Sequence, residues 1–125
     1  MKLLLVDDVN FTLQLVKVAV TETATEIMTA GNGLEALQVM RTNRPDMVLM
    51  DLFMPEMNGD ECCRIIKADP DFKNIPVLMI TAVDDPAHRE RCIGAGCDDI
   101  IKKPFTQEAL VEKVLEHHRG AEALG

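Results

Sequence analysis

The stretch Met47-Val48-Leu49-Met50-Asp51-Leu52-Phe53-Met54-Pro55-Glu56-Met57-Asn58-Gly59 runs from unbroken apolar residues into a carboxylate, then into a segment rich in turn formers. An apolar run without polar alternation is what a strand shows when helices cover both of its faces. Residues 47–50 therefore read as a central strand of a parallel sheet, with Asp51 at its carboxyl end. Residues 77–80, Val-Leu-Met-Ile, repeat the pattern and lead into Thr81. Further outward, residues 3–6, 26–29 and 100–102 read as strands, and segments of helical period separate them.

Asp85-Pro86 offers an N-cap followed by proline in the first turn, and Thr106 can cap a helix carrying Leu110, Val111, Val114 and Leu115. Arg44-Pro45 and Asp69-Pro70 mark stops or loops after the second and third helices. Five β-α units result. The fold class is α/β: a five-stranded parallel sheet, doubly wound, in a three-layer sandwich. The chain has 125 residues, 47% of them hydrophobic, enough for one core. One domain is expected over residues 1–119, its last helix ending near His117-His118-Arg119, with a flexible tail at 120–125 and no effector domain within the chain.

The apolar start, Met1 to Val6, is too short for a signal-peptide core and runs into Asp7 and Asp8. A cytoplasmic protein is expected, in which Cys62, Cys63, Cys92 and Cys97 stay thiols. The formal charge of −8, from 21 acids against 13 bases, repels nucleic acid and anionic membranes, so neither is expected as a direct partner. The short basic pairs, Arg41 with Arg44 and Arg89 with Arg91, read as solvated faces.

Ligands of parallel α/β sheets sit beyond the carboxyl ends of the strands. Those ends deliver Asp7 and Asp8, Asp51, Thr81, and Lys103 just before Pro104. Carboxylates gathered at one edge repel one another unless a cation lies between them. Oxygen ligands suit Mg²⁺, with Mn²⁺ as a substitute. A carboxylate nucleophile, a hard cation, a lysine and a hydroxyl together suit phosphoryl transfer through an acyl phosphate.

Blander readings stand beside this one. Asp7-Asp8 can cap the first helix, Thr81 can be an ordinary strand end, and Lys103 can be a surface lysine; it is their joint placement that favours a site. Gly31-Asn32-Gly33-Leu34-Glu35-Ala36 fits a loose dinucleotide fingerprint but follows the wrong strand. His88 and Cys92, one helical turn apart, and His117-His118 lack the paired spacing of structural zinc, and read as surface histidines and scattered thiols. The first helix, residues 11–20, carries more apolar residues than one sheet contact needs. The surplus suits either a docking surface or a broad core contact.

Asp7-Asp8, the run from Asp51 to Gly59, Thr81-Ala82 and Lys103-Pro104-Phe105, in this order over nearly the whole chain, resemble the receiver domains of response regulators. Asn32 to Leu37 and Ala95 to Asp99 resemble the same family's second-helix start and its approach to the last strand. This CheY-like superfamily of bacterial two-component and phosphorelay systems has a flavodoxin-like fold. The resemblance implies that Asp51 is the phospho-acceptor and that Asp8 and Asp51 bind Mg²⁺ directly. It further implies that Phe53 offers its backbone carbonyl to the metal while Asp7 acts through water. Thr81 and Lys103 would contact the phosphoryl group, and small Ala82 would leave it room. A cis Lys103-Pro104 bond, common in the family, would aim the lysine into the site.

The implied partners are a histidine kinase or histidine phosphotransfer protein, docking on the first helix, and an unidentified downstream protein. The chain would be a monomer or a phosphorylation-dependent dimer, a switch that slowly loses its phosphate rather than a metabolic enzyme. The alternative is a Mg²⁺-dependent small-molecule phosphatase or phosphotransferase with an aspartyl nucleophile. Enzymes resembling haloacid dehalogenases need a second aspartate where this chain has Phe53. Two departures from the receiver pattern stand out. Ile100 replaces a frequent aromatic residue, and apolar Phe53 and Val83 occupy positions that tune phosphate loss in the family.

Overall fold

The computed structural model describes residues 1–83 and 85–124. In chain order the elements are β1 (Lys2–Val6), α1 (Asn10–Val20), β2 (Glu26–Ala30), α2 (Gly33–Thr42) and β3 (Met47–Asp51), then α3 (Gly59–Ala68), β4 (Val77–Thr81), α4 (Pro86–Gly94), β5 (Asp99–Lys102) and α5 (Gln107–Leu124). The strands form one parallel sheet in the order β2-β1-β3-β4-β5. Each strand expected from sequence is present, displaced by no more than one residue at either end.

Alternate residues of each central strand belong to different cores. Leu4, Val6, Val48, Met50, Val77 and Met79 face a cluster completed by α2, α3 and Cys92 of α4. Leu3, Leu5, Met47, Leu49, Leu78 and Ile80 face another, closed by Val16, Ala19 and Val20 of α1 and Leu110 and Val114 of α5. Both faces are covered, which is why these strands lack polar alternation.

Local chemistry sets the helix starts. Asn32 Oδ1 accepts the Glu35 N–H at 2.9 Å and Glu35 Oε2 accepts the Gly31 N–H at 3.2 Å, so the supposed dinucleotide fingerprint is a reciprocal cap of α2. Asp85 Oδ1 accepts the His88 N–H at 2.9 Å, and Thr106 Oγ1 accepts the Ala109 N–H at 3.1 Å. Of the four apolar residues expected on one face of α5, Leu110 and Val114 are buried, while Val111 and Leu115 are only half-buried.

The helix α5 departs from expectation at its end. It continues through Gly120 to Leu124 rather than stopping near Arg119, so residues 120–124 are helical. One glycine costs about 1 kcal/mol in a helix, and the following Ala121, Glu122 and Ala123 favour helix. His118 Nε2 also pairs with Glu122 Oε1 at 2.6 Å across that glycine. Gly125, the last residue of the expected tail, lies outside the described residues.

Candidate functional site

The parallel register brings the strand ends to one edge. Asp7 follows β1 directly, with its N–H on Ala30 O at 3.1 Å; Asp51 ends β3 and Thr81 ends β4. Lys103 lies just beyond β5, its N–H held by Thr81 O at 2.8 Å, and the Lys103-Pro104 bond is cis. From there its Nζ reaches Asp7 Oδ2 at 3.2 Å and Asp51 Oδ1 at 3.5 Å. Asp7, Asp8 and Asp51 each offer a carboxylate oxygen within 4.8 Å of the others, the one such acidic, histidine or cysteine cluster among the described residues.

Geometry bears on each of the blander readings. Asp7 Oδ1 accepts the Val9 N–H at 2.9 Å, but α1 begins after Val9 with no side-chain cap, so neither aspartate caps that helix. Thr81 is buried, and its Oγ1 accepts the Val83 N–H at 3.1 Å, which leaves its own O–H to donate. Lys103 pairs with two carboxylates at the site, and Ala82 follows Thr81 as a small exposed residue.

Burial raises the Asp51 carboxyl above the ordinary aspartate value. The Lys103 charge opposes that rise, the Asp7 carboxylate adds to it, and the Leu52 N–H, 2.9 Å from Oδ1, opposes it again. The ionised Asp51 carboxylate is thus under-compensated by protein groups alone. Three carboxylates with converging oxygens, two of them paired with one lysine, fit a hard divalent cation, whose charge would offset that deficit.

The loop after Asp51 is closed on itself. Asn58 Oδ1 accepts the Met54 N–H at 3.1 Å, the Met57 N–H reaches Pro55 O at 2.7 Å, and Glu56 sits at φ 67°. The Gly59 N–H donates to Leu52 O at 2.7 Å. A Cβ on Gly59 would lie 2.2 Å from the Asp51 carbonyl oxygen, so only glycine lets α3 start this close to β3.

The Phe53 ring packs against α4. Its centroid lies 5.4 Å from the Arg91 guanidinium carbon and 5.5 Å from the His88 ring, edge to face. Arg91 also grips Asp60 through Nε at 2.6 Å and Nη2 at 3.2 Å. The expectation that Arg91 belongs to a solvated face is therefore corrected, because a buried carboxylate and an aromatic face engage it. Asp60 and Arg91 are 31 residues apart, and no local sequence signal pairs them.

His88 Nδ1 lies 2.7 Å from Asp85 Oδ1 and His117 Nε2 lies 2.8 Å from Asp99 Oδ2. Phe11, Leu15 and Val18 of α1 remain exposed and line an open groove with Ala82, Pro104 and Phe105, directly beside Lys103.

A family model described as the response regulator receiver domain matches residues 3–115. The chain is 34% identical over 113 residues to the response regulator PleD of Caulobacter vibrioides, covering 90% of this chain and 25% of that protein. It is equally 34% identical over 113 residues to the DNA-binding response regulator MtrA of Mycobacterium tuberculosis, covering 90% of this chain and 48% of MtrA. The chain thus spans half or less of the length of these relatives. Among solved structures, the signal receiver domain of a signal transduction histidine kinase from Syntrophus aciditrophicus superposes with a TM-score of 0.89 at 34% identity, covering 95% of this chain and 90% of that one. The chemotaxis protein CheY4 of Vibrio cholerae superposes at 0.86 with 30% identity, covering 92% of this chain and 96% of that one.

Proposed function

The chain belongs to the response regulator receiver domain family, whose function is phosphoacceptor signalling, and on that premise we propose that Asp51 is its phospho-acceptor. The observation that carries the proposal is Lys103, whose one ammonium lies within 3.5 Å of Asp51 and 3.2 Å of Asp7 at the carboxyl edge of the sheet. In the proposed reaction an Asp51 oxygen attacks the phosphorus of a phosphohistidine. The P–N bond breaks, the imidazole leaves and takes up a proton, and an acyl phosphate remains on Asp51.

Lys103 holds an equatorial phosphoryl oxygen, the Thr81 hydroxyl donates to another, and Ala82 leaves room for the group. Asp8, Asp51 and the Phe53 carbonyl would hold Mg²⁺ or Mn²⁺, with Asp7 acting through water. The bound ion supplies charge neutralisation on the transferred group.

The donor in this reading is a histidine kinase or histidine phosphotransfer protein. The exposed Phe11, Leu15 and Val18 beside Lys103 support its docking there as a helix. Output is a changed binding surface for a downstream protein, in a monomer or a phosphorylation-dependent dimer, ending in slow autodephosphorylation. MtrA is described as DNA-binding, but the charge of −8 here favours protein contacts over direct nucleic-acid contact for this chain. No helix among the described residues is long and apolar enough to cross a membrane, and the cytoplasm is the proposed location. Intact-mass measurement after incubation with a small acyl phosphate and Mg²⁺ tests the acceptor. The parent should gain one phosphoryl group and Asp51→Asn none. Labelling of the Asn variant would place the acceptor elsewhere.

A further inference from the structure

The helix α4 is weakly anchored by apolar contact. Of Pro86–Gly94 only Cys92 is buried, whereas α3 buries Gly59, Asp60, Cys62, Cys63 and Ile66. Segments with few buried apolar contacts open locally at the lowest free energies. One tie that α4 does make across the fold is through Arg91. Its guanidinium makes a two-pronged contact with the Asp60 carboxylate, which is 5% exposed, and its carbon lies 5.4 Å from the Phe53 ring centroid.

Both of those partners belong to the segment behind the acceptor. Phe53 follows Asp51 by two residues, and Asp60 follows Gly59, whose missing Cβ lets α3 abut the Asp51 carbonyl. The hydrogen bonds from Met54 N–H to Asn58 Oδ1 and from Gly59 N–H to Leu52 O brace the loop between them, so a shift of that loop displaces both partners together. Ile100 of β5, where the family resemblance leads to an aromatic residue, is aliphatic and packs against the core.

We propose that Arg91 is a positioning residue of the phosphoryl switch. Gripping the Asp60 carboxylate and the Phe53 ring at once, it locks α4 to the loop behind Asp51 and transmits the state of Asp51 to α4. The proposal rests on the reading of Asp51 as acceptor. It makes α4 a surface that is released or re-seated when that loop moves.

Amide hydrogen exchange with and without beryllofluoride, a phosphoryl mimic, at fixed Mg²⁺ tests it. The proteins compared are the parent, Asp51→Asn, Arg91→Gln, Arg91→Lys, Phe53→Leu and the Arg91→Gln, Phe53→Leu double variant. In Arg91→Gln without the mimic, exchange across α4 should rise about five- to thirtyfold, the loss of one cation–π contact and one partly exposed ion pair. Exchange in α5 should stay as in the parent, and the mimic should no longer alter α4. Lysine, lacking the planar fork, should restore the response only in part, and Arg91→Gln should matter less once Phe53 is Leu. An α4 that answers the mimic in Arg91→Gln as it does in the parent would overturn the lock, as would an equal rise in α5, which marks general loosening. A parent that responds to the mimic no differently from Asp51→Asn would instead overturn the acceptor reading.

Discussion

Replacing Gly59 by alanine should damage both the fold and the site, although alanine is the better helix former. The added Cβ would fall 2.2 Å from the Asp51 carbonyl oxygen, 3.1 Å from its carbon and 3.2 Å from Leu52 Cα. Carbon and oxygen sit about 3.3 Å apart even in close C–H···O contacts, so an opening of roughly 1 Å is required. Every atom in the way is backbone, and no side chain can swing aside. The Gly59 N–H to Leu52 O bond, 2.7 Å, would stretch or break.

Overpacking of this kind costs about 1–3 kcal/mol, the lost hydrogen bond about 1 kcal/mol, and the helix propensity of alanine returns up to about 1 kcal/mol. The net loss should be roughly 1–4 kcal/mol, readable as a lower urea midpoint with unchanged slope. Because the shift lies on Asp51, the proposed acceptor, phosphorylation should slow by about 100-fold, the usual scale for a 1 Å misplacement. Gly120→Ala is the control, since nothing lies within 4 Å of its Cβ position in α5 and alanine there should stabilise by up to about 1 kcal/mol. If Gly59→Ala unfolded within about 0.5 kcal/mol of the parent and still took up phosphate at the parental rate, the close approach of α3 to β3 would be wrong.

Three further outcomes are expected. Asp51→Asn should raise the urea midpoint of the metal-free protein near neutral pH, because the folded state holds this carboxyl above its ordinary 3.8. A raised carboxyl makes the native state bind more protons than the unfolded one above pH 3.8, so parental stability falls as pH rises through that window. The advantage of the Asn variant should vanish below it, and an advantage independent of pH would refute the assignment. Burial pushes the thiols of Cys62, Cys63 and Cys97 up to about 12, so iodoacetamide at pH 8 should leave them unmodified in the folded protein and alkylate them in urea; mass spectrometry reads the difference. The acyl phosphate should decay slowly, since neither Phe53 nor Val83 can orient a water, and a Phe53→Asn, Val83→Glu double variant should shed phosphate several-fold faster, about 10-fold at most. Equal decay at fixed Mg²⁺ and pH would remove that explanation.

Strand positions were legible because both faces of β3 and β4 are covered, which writes an apolar run into the sequence and leaves Asp51 and Thr81 to end it. The convergence of Asp7, Asp51 and Lys103 followed from parallel topology, which fixes where carboxyl ends must meet. Arg91 was misread because its partner Asp60 lies on another helix, and a basic pair on a polar segment looks the same whether it faces water or a buried carboxylate. The extent of α5 was misread for a related reason. A lone glycine signals a helix end by propensity, whereas the residues on both sides of Gly120 and the His118–Glu122 pair decide otherwise.

The division of β1 between two cores has a consequence for error detection during folding. Leu3 and Leu5 belong to one cluster and Leu4 and Val6 to the other, so sliding this strand one residue toward its carboxyl end would exchange the clusters without delivering a leucine to water, at the cost of pushing Lys2 into the buried place of Leu3. Hydrophobic burial is therefore a poor proofreader of this register. The polar termini do that work: Asp46 accepts the Lys2 N–H at 2.6 Å and returns its own N–H to Lys2 O at 2.8 Å, while the far end must deliver Asp7 to Lys103. A slipped strand would carry Asp7 about 3.3 Å along the sheet while conserving nearly all buried area. Spectra that report helix content would score such a molecule as native, and phosphate uptake would not; the cluster of charges serves as the checksum of its own scaffold.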